Sequence, residues 1–191
     1  MRRVSVNCKT REVDVKISVN IDGSGKSKIS TGIAFLDHLL TLLSYHSLID
    51  INLDAKGDLL HHTAEDVALC LGRTIRKAVN ENPGIIRFGS AAVPMDDSLA
   101  SVAIDLGGRP YHVVDLKISK MGIEDMAGED IYHFIRSLSD SLSANIHVKV
   151  EYGDNDHHKV EAVFKALALS LRQALTLDSR KRGVPSSKEV I

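Results

Sequence analysis

Tryptophan is absent from this 191-residue chain, and phenylalanine and tyrosine contribute only four residues each. Aromatics therefore make up 4% of the sequence, too few to build the stacking platforms on which single-stranded nucleic acid is held. An excess of positive charge is also missing. Twenty-four Lys and Arg face 25 Asp and Glu, for a formal charge of -1, so no global basic field draws in nucleic acid. No apolar run approaches the roughly 20 residues of a membrane helix, and no membrane partner is expected. The start, Met1-Arg2-Arg3-Val4-Ser5, lacks the apolar core of a secretory leader. Cysteine is nearly absent: Cys8 and Cys70 stand apart without metal or redox spacing. Two reduced thiols in a cytoplasmic protein are the expectation. What remains is ordinary for a soluble globular chain, with 43% hydrophobic and 26% charged residues. The exception is histidine, which occurs nine times.

The stretch Gly153-Asp154-Asn155-Asp156-His157-His158-Lys159-Val160-Glu161 sets two adjacent histidines three residues ahead of a glutamate, at the start of an apolar helix pattern. The same arrangement occurs earlier, as Gly57-Asp58-Leu59-Leu60-His61-His62-Thr63-Ala64-Glu65. Around the two copies the chain repeats itself. Val4 to Cys8 and Val13 to Ile21 read as strands, the second by strict alternation of apolar and polar residues. After the turn at Asp22-Gly23-Ser24-Gly25 comes a helix from Ile33 to about Tyr45 carrying His38. A strand over Leu48 to Leu53 follows, then a helix from His61 to about Asn80 with Val67, Leu71, Ile75 and Val79 down one side. Asn82-Pro83-Gly84 stops it. The second half reads as strands over Ile85 to Val93, Leu99 to Leu106 and Tyr111 to Ile118, a loop over Met121 to Gly128 and a helix from Glu129 to about Ser143 carrying His133. It closes with a strand over Ile146 to Tyr152 and a helix from His157 to about Leu177, with Asp156 as its N-cap. His38 precedes His61 by 23 residues and His133 precedes His157 by 24. The expected fold is an α/β sandwich (α+β) made by internal duplication of a sheet-plus-two-helices unit, with pseudo-two-fold symmetry. Residues 1–84 and 85–177 form the half-repeats of one packed body, and 178–191 a polar tail.

Positions i, i+3 and i+4 of a helix share a face, whereas adjacent residues lie roughly 100° apart. Glu65 thus neighbours both His61 and His62, but the two histidines serve different ions more easily than one. The simplest symmetric arrangement gives one metal His38, His62, Glu65 and His158, and the other His61, His133, His157 and Glu161. Imidazole and carboxylate donors suit Mn, Fe, Co, Ni or Zn, and four protein ligands on a six-coordinate ion leave positions for substrate and water. Spacing alone stops at a two-metal enzyme acting on a small anion. A two-metal phosphoester hydrolase and an assembly stapled by metal remain open.

Further motifs resemble the imidazoleglycerol-phosphate dehydratase family. They are Thr31-Gly32-Ile33-Ala34-Phe35-Leu36-Asp37-His38, the HHTAEDVALCLG run from His61, Arg87-Phe88-Gly89-Ser90, Pro94-Met95-Asp96-Asp97, Gly108-Arg109-Pro110, His133-Phe134, the stretch from Gly153 to Lys159, and Pro185-Ser186-Ser187-Lys188. They span the chain in order. The resemblance implies a hydro-lyase of histidine biosynthesis that converts imidazole glycerol phosphate to imidazole acetol phosphate, with the substrate imidazolate bridging two Mn2+ ions. It implies the same eight metal ligands, and a cytoplasmic homo-oligomer of about 24 subunits with active sites at subunit interfaces. It carries Glu12 over as the acid/base group, beside Glu65 and Glu161 at the reacting centre. It also implies that Arg87, Arg109, Lys165, Ser186 and Lys188 hold the phosphate, that His46 lies near the substrate and that the tail orders over it. Asp37, Asp66, Asp96 and Asp97 are given structural roles: capping, turns or orienting a histidine. One departure is visible: only Leu59-Leu60 separate Gly57-Asp58 from His61-His62, a shorter loop than many members have.

Overall fold

Alternation of side chains builds the first sheet. In β2 (Val13–Asn20) the apolar positions are buried and the polar ones face outward, so one face of the strand is committed to a core. It pairs antiparallel with β1 (Arg3–Lys9) on one side and β4 (Asp50–Gly57) on the other. The short β3 (Ser27–Ser30) lies parallel to β4 at the edge, giving the order β1-β2-β4-β3. The computed structural model describes residues 2–79, 84–119 and 121–180.

The second sheet repeats this topology. β5 (Phe88–Met95), β6 (Ser98–Asp105), β7 (Tyr111–Asp115) and β10 (Asn145–Tyr152) take the order β5-β6-β10-β7. Here too the last pair is parallel and the others antiparallel. Pro94 is tolerated in β5 because that strand is an edge. The connection expected as a plain loop before the second half's first helix folds into a two-stranded hairpin, β8 (Gly122–Ile123) and β9 (Met126–Ala127).

Among the described residues, four helices lie between the sheets. α1 (Ala34–Ser47) and α2 (Leu60–Val79) pack on the first sheet; α3 (Gly128–Leu142) and α4 (Asp156–Leu175) pack on the second. Across the middle, α1 packs on α4 and α2 on α3. The two halves thus meet through two equivalent contacts between unlike helices, which a pseudo-two-fold axis relates. The α2–α3 approach is close. A Cβ at Gly72 would collide with the Ser141 side chain and the backbone of Leu142. Leu36, Leu39, Leu40 and Leu43 of α1, Val67, Leu71 and Ile75 of α2, and Phe134 and Phe164 are wholly buried. The last two rings sit 5.7 Å apart at the centre, where truncating either to alanine costs about 3–5 kcal/mol. No helix among the described residues is long and apolar enough to cross a membrane.

Other local expectations change as well. β3, hidden in a polar stretch, has no alternation to reveal it. The strand from Tyr111 ends at Asp115, two residues before Lys117 takes a positive φ of 49°. The N-cap of α4 is Asn155, whose side chain accepts from the amides of His157 and His158; Asp156 instead binds Lys159 and the amide of Ser119. Finally, the cysteines are not separate thiols. Cys8 on β1 and Cys70 on α2 form a disulfide with Cα atoms 6.0 Å apart. They lie 62 residues apart in sequence, and only the packing of α2 against β1 brings them together.

Candidate metal centre

The starts of α4 and α2 carry the tandem histidines, and each meets the lone histidine of the helix packed against it. His38 of α1 reaches across to α4, where its Nε2 lies 2.7 Å from Glu161 Oε1. His157 Nε2 is 3.1 Å from the same oxygen. These three residues offer ligand atoms all within 4.8 Å of one another. Adjacent ligands on one divalent ion with bonds near 2.1 Å are separated by about 3 Å, so the donor set and its spacing fit a metal ion. Glu161 is buried, its side chain 9% exposed, and its second oxygen lies 2.6 Å from Lys165 Nζ. Burial opposes ionisation of this carboxyl, but hydrogen bonds from Lys165, His38 and His157 outweigh it and bring its pKa down to about 2. Phe35 packs on His157, ring centres 5.0 Å apart.

The matching group in the other half is looser. His61 and His133 have ring centres 5.3 Å apart, and His61 Nε2 is 4.0 Å from Glu65 Oε2. The Glu65 side chain is 42% exposed. No hydrogen bond or ring contact joins this group to the first among the described residues.

The structure thus regroups the expected ligands. His38 lies with His157 and Glu161, not with His62, Glu65 and His158. His61 lies beside His133 and Glu65, and His157 and Glu161 are not with them; among the described residues only His38, His157 and Glu161 bring three ligand atoms within 4.8 Å of one another. Spacing along a helix gives the angle between two side chains of that helix; it does not say which helix packs opposite. His62 and His158 stand apart from their tandem neighbours, their rings steeply inclined to those of His61 and His157. His62 Nδ1 lies 2.8 Å from Asp58 and 3.7 Å from Glu12. Its pKa is raised, chiefly by the Asp58 hydrogen bond, with burial opposing and Glu12 assisting. His158 Nδ1 lies 2.5 Å from Asp97. Asp97, in the β5–β6 turn, also accepts from the amides of Asn155 and Asp154, and its carboxyl is held well below the usual range by the Asn155 amide first and His158 second.

The remaining expected residues divide. Lys165 and His46 join the Glu161 group: burial, then the charge of Lys165, lower the His46 pKa. Glu12 sits in the β1–β2 turn beside His62. Arg87 and Arg109 do not join either group. The Arg87 guanidinium is paired with Asp105 at 2.6 Å and lies over the Phe88 ring, and the carbonyl of Arg109 accepts from Asn145. Both lie at the end of the second sheet where β10 begins, whereas Asp97 and His158 lie where it ends. Eight residues of strand at about 3.3 Å each put roughly 20–25 Å between the two ends. Ser186 and Lys188, and with them most of the tail, lie outside the described residues.

Sequence reasoning missed Asp58, Glu124 and Asp130 beside the histidines. Asp130 Oδ1 is 2.5 Å from His61 Nδ1 and Glu124 Oε1 is 3.1 Å from His157 Nδ1. It also missed Asp125, which accepts from the amides of Ala34 and Phe35 and so caps α1. Asp58 had a signal: it lies four residues before His62, just ahead of the first turn of α2. The other three come from the β8–β9 turn and the start of α3, and only tertiary packing brings them in. Leu59 and Leu60 are both exposed, and only Leu59 separates Asp58 from the first residue of α2.

A family model described as imidazoleglycerol-phosphate dehydratase matches residues 31–171. The chain is 46% identical over 191 residues to the protein of that name from Dehalococcoides mccartyi, covering all of this chain and 97% of that one. It is 49% identical to that from Methanothermobacter thermautotrophicus, covering 98% and 97%. Among solved structures, that of the Pyrococcus furiosus enzyme in complex with (S)-C348 superposes with a TM-score of 0.86 at 36% identity, covering 97% of this chain and all of that one. The Staphylococcus aureus enzyme gives 0.85 at 32%, covering 92% and 99%. Their shared architecture is the two-sheet, four-helix body described above. The chain belongs to the imidazoleglycerol-phosphate dehydratase family, a family of hydro-lyases.

Proposed function

We propose that this chain dehydrates imidazole glycerol phosphate to imidazole acetol phosphate in histidine biosynthesis, as a metal-dependent homo-oligomer. The observation that carries the proposal is the His38–His157–Glu161 cluster, backed by Lys165, in a chain that matches this family along its whole length. Two divalent ions, Mn2+ by resemblance, would supply Lewis-acid stabilisation of charge building on the substrate's imidazole ring, held between them as an imidazolate. His38, His157 and Glu161 would hold one ion; His61, Glu65 and His133 would hold the other. Each would be completed by the second histidine of a tandem pair, His62 or His158, from a neighbouring copy. Such sharing fits the way these two histidines stand apart from both groups. It also fits the distance of Arg87 and Arg109 from the histidines, because arginines that far off can reach a phosphate here only from another subunit. An assembly of closed symmetry, about 24 subunits by resemblance, provides that geometry.

Glu12 is the acid/base group of this proposal. It passes the proton between the substrate carbons and the departing hydroxyl: the C–O bond breaks, the neighbouring C–H proton leaves, and the enol becomes the ketone. Lys165 neutralises the outer oxygen of Glu161 and offers its charge, with Arg87, Arg109, Ser186 and Lys188, to the phosphate. His46, its pKa lowered first by burial and then by Lys165, belongs to the same side of the site. The tail past residue 177 closes over the substrate. A cytoplasmic setting belongs to this reading, since a phosphorylated intermediate stays in the compartment that makes it.

The test strips the protein with a chelator, reloads it with Mn2+ and follows the ketone formed from imidazole glycerol phosphate. Turnover with Mn2+ and none after stripping is expected. No ketone from Mn-loaded protein, with phosphate released from simple esters instead, would sink the reading in favour of a phosphoester hydrolase.

A further inference from the structure

All four tandem histidines turn Nδ1 toward a carboxylate. His61 faces Asp130 at 2.5 Å, His62 faces Asp58 at 2.8 Å, His157 faces Glu124 at 3.1 Å and His158 faces Asp97 at 2.5 Å. The four acids come from four places: the first turn of α3, the β4–α2 connection, the β8–β9 turn and the β5–β6 turn. An ionised carboxylate only accepts hydrogen bonds, so each contact favours the proton on Nδ1 and leaves the Nε2 lone pair for coordination. On the Nε2 side His157 faces Glu161, His61 faces Glu65 and His158 faces Asp96, and an ion held between ring and carboxylate would take the place of a proton there.

The four contacts are not equal. Asp58 and Glu124 are more than half exposed, so water competes for them. The Asp130 side chain is only 9% exposed. Asp97 is pinned by two backbone amides, those of Asp154 at 2.6 Å and Asn155 at 3.0 Å, and cannot swing away from His158. We propose that Asp130 and Asp97 are positioning residues of the metal centre, which fix the tautomer and ring orientation of His61 and His158 so that both bind their ion through Nε2. The proposal rests on the metal-binding reading above. It goes beyond that reading by giving residues outside the ligand set a graded effect on ion affinity, and by passing control of a first-half ligand, His61, to a second-half acid.

The test titrates metal-stripped full-length protein with Mn2+ and reads free ion by its paramagnetic resonance signal. Asp130→Ala should weaken Mn2+ binding about 10–100-fold, the scale seen when the outer partner of a ligand histidine is lost. Asp130→Asn, which keeps an acceptor but not the charge, should fall between it and the wild type. Asp97→Asn should weaken binding in the same direction. A structural role alone would lower the melting temperature of the metal-free protein without producing this graded order. Unchanged affinity in Asp130→Ala, while His61→Ala loses the ion, would overturn the positioning role and leave the metal reading standing. Wild-type protein that takes up no Mn2+ would overturn both. Independent of any variant, a crystal structure of the Mn-loaded wild type should show Nε2 ligation by His61 and His158 with Nδ1 on the carboxylates; ligation through Nδ1 by either would overturn the proposal.

Discussion

The two halves share their strand order, their helix packing and their His-His-x-x-Glu start, yet their glutamates live in different surroundings. Glu161 is buried and bound by His38, His157 and Lys165, whereas Glu65 is half exposed and only approached by His61. The difference traces to single positions. Where α4 has Lys165, one turn past the glutamate, α2 has Leu69; where α1 has His46, eight residues past its histidine, α3 has Ser141. Both halves carry the same ligand types at the same helix positions, but one half alone sets a cation beside its glutamate. Under the proposed function the phosphate-bearing substrate is itself asymmetric, and Lys165 supplies charge on one side of it.

Four changes would break or sharpen this comparison. The largest effect should come from the ligand glutamates. Glu161→Gln and Glu65→Gln should each lower kcat/KM by at least about 100-fold, more than is lost with an outer partner of a metal ligand. They should part company in the metal-free protein: melting should reveal a loss of about 1–3 kcal/mol for Glu161→Gln, which leaves Lys165 without its carboxylate, and little change for Glu65→Gln. Next, Lys165→Leu, which copies the first half onto the second, should reduce kcat/KM by at least about 10-fold, read as raised KM for the phosphorylated substrate if Lys165 serves the phosphate. Equal KM would confine it to holding Glu161. The third change concerns the crosslink. The first half carries Cys8–Cys70 where the second has Val93 and Ala166, so Cys8→Ser should destabilise the chain by about 2 kcal/mol in denaturant unfolding without a reductant.

The smallest effect is the pH dependence. Glu161 has its folded pKa depressed to about 2 from an ordinary 4.5. Its contribution to metal-free stability is therefore fully present above pH 4.5 and is lost as pH falls toward 2. The stability gap between the wild type and Glu161→Gln should narrow across that window and stay constant above it.

How much of this was legible in the sequence follows the range of each interaction. β2 was readable because its alternation is local, and the helices because Val67, Leu71 and Ile75 mark one buried side. The duplication was readable because it is written twice at nearly the same spacing. The residue types of the candidate ligands were readable for the same reason. Their partition was not: His38 meets Glu161 because α1 packs on α4, and nothing within either helix records its neighbour. Asp130 and Glu124 escaped for the same cause, as did the Cys8–Cys70 pair. Asp97 was given only a structural role in common with Asp37, Asp66 and Asp96, and its anchoring by the amides of Asp154 and Asn155 depends on two turns meeting at one end of a sheet. β3 was missed because an exposed edge strand of Ser, Lys, Ile and Ser leaves no pattern.

If each tandem pair divides between the two ions of one site, the proposed sharing holds each substrate between a Glu161-type group of one copy and a Glu65-type group of another. Mixing inactive Glu161→Gln chains with inactive Glu65→Gln chains, unfolding them and reassembling them together tests it directly. If the two groups belong to different copies, some sites in the mixed assembly receive an intact Glu161 from one chain and an intact Glu65 from the other, and dehydration of imidazole glycerol phosphate returns well above either parent. If both groups of a site belong to one copy, the mixture stays as inactive as its parents, and that result would contradict the account.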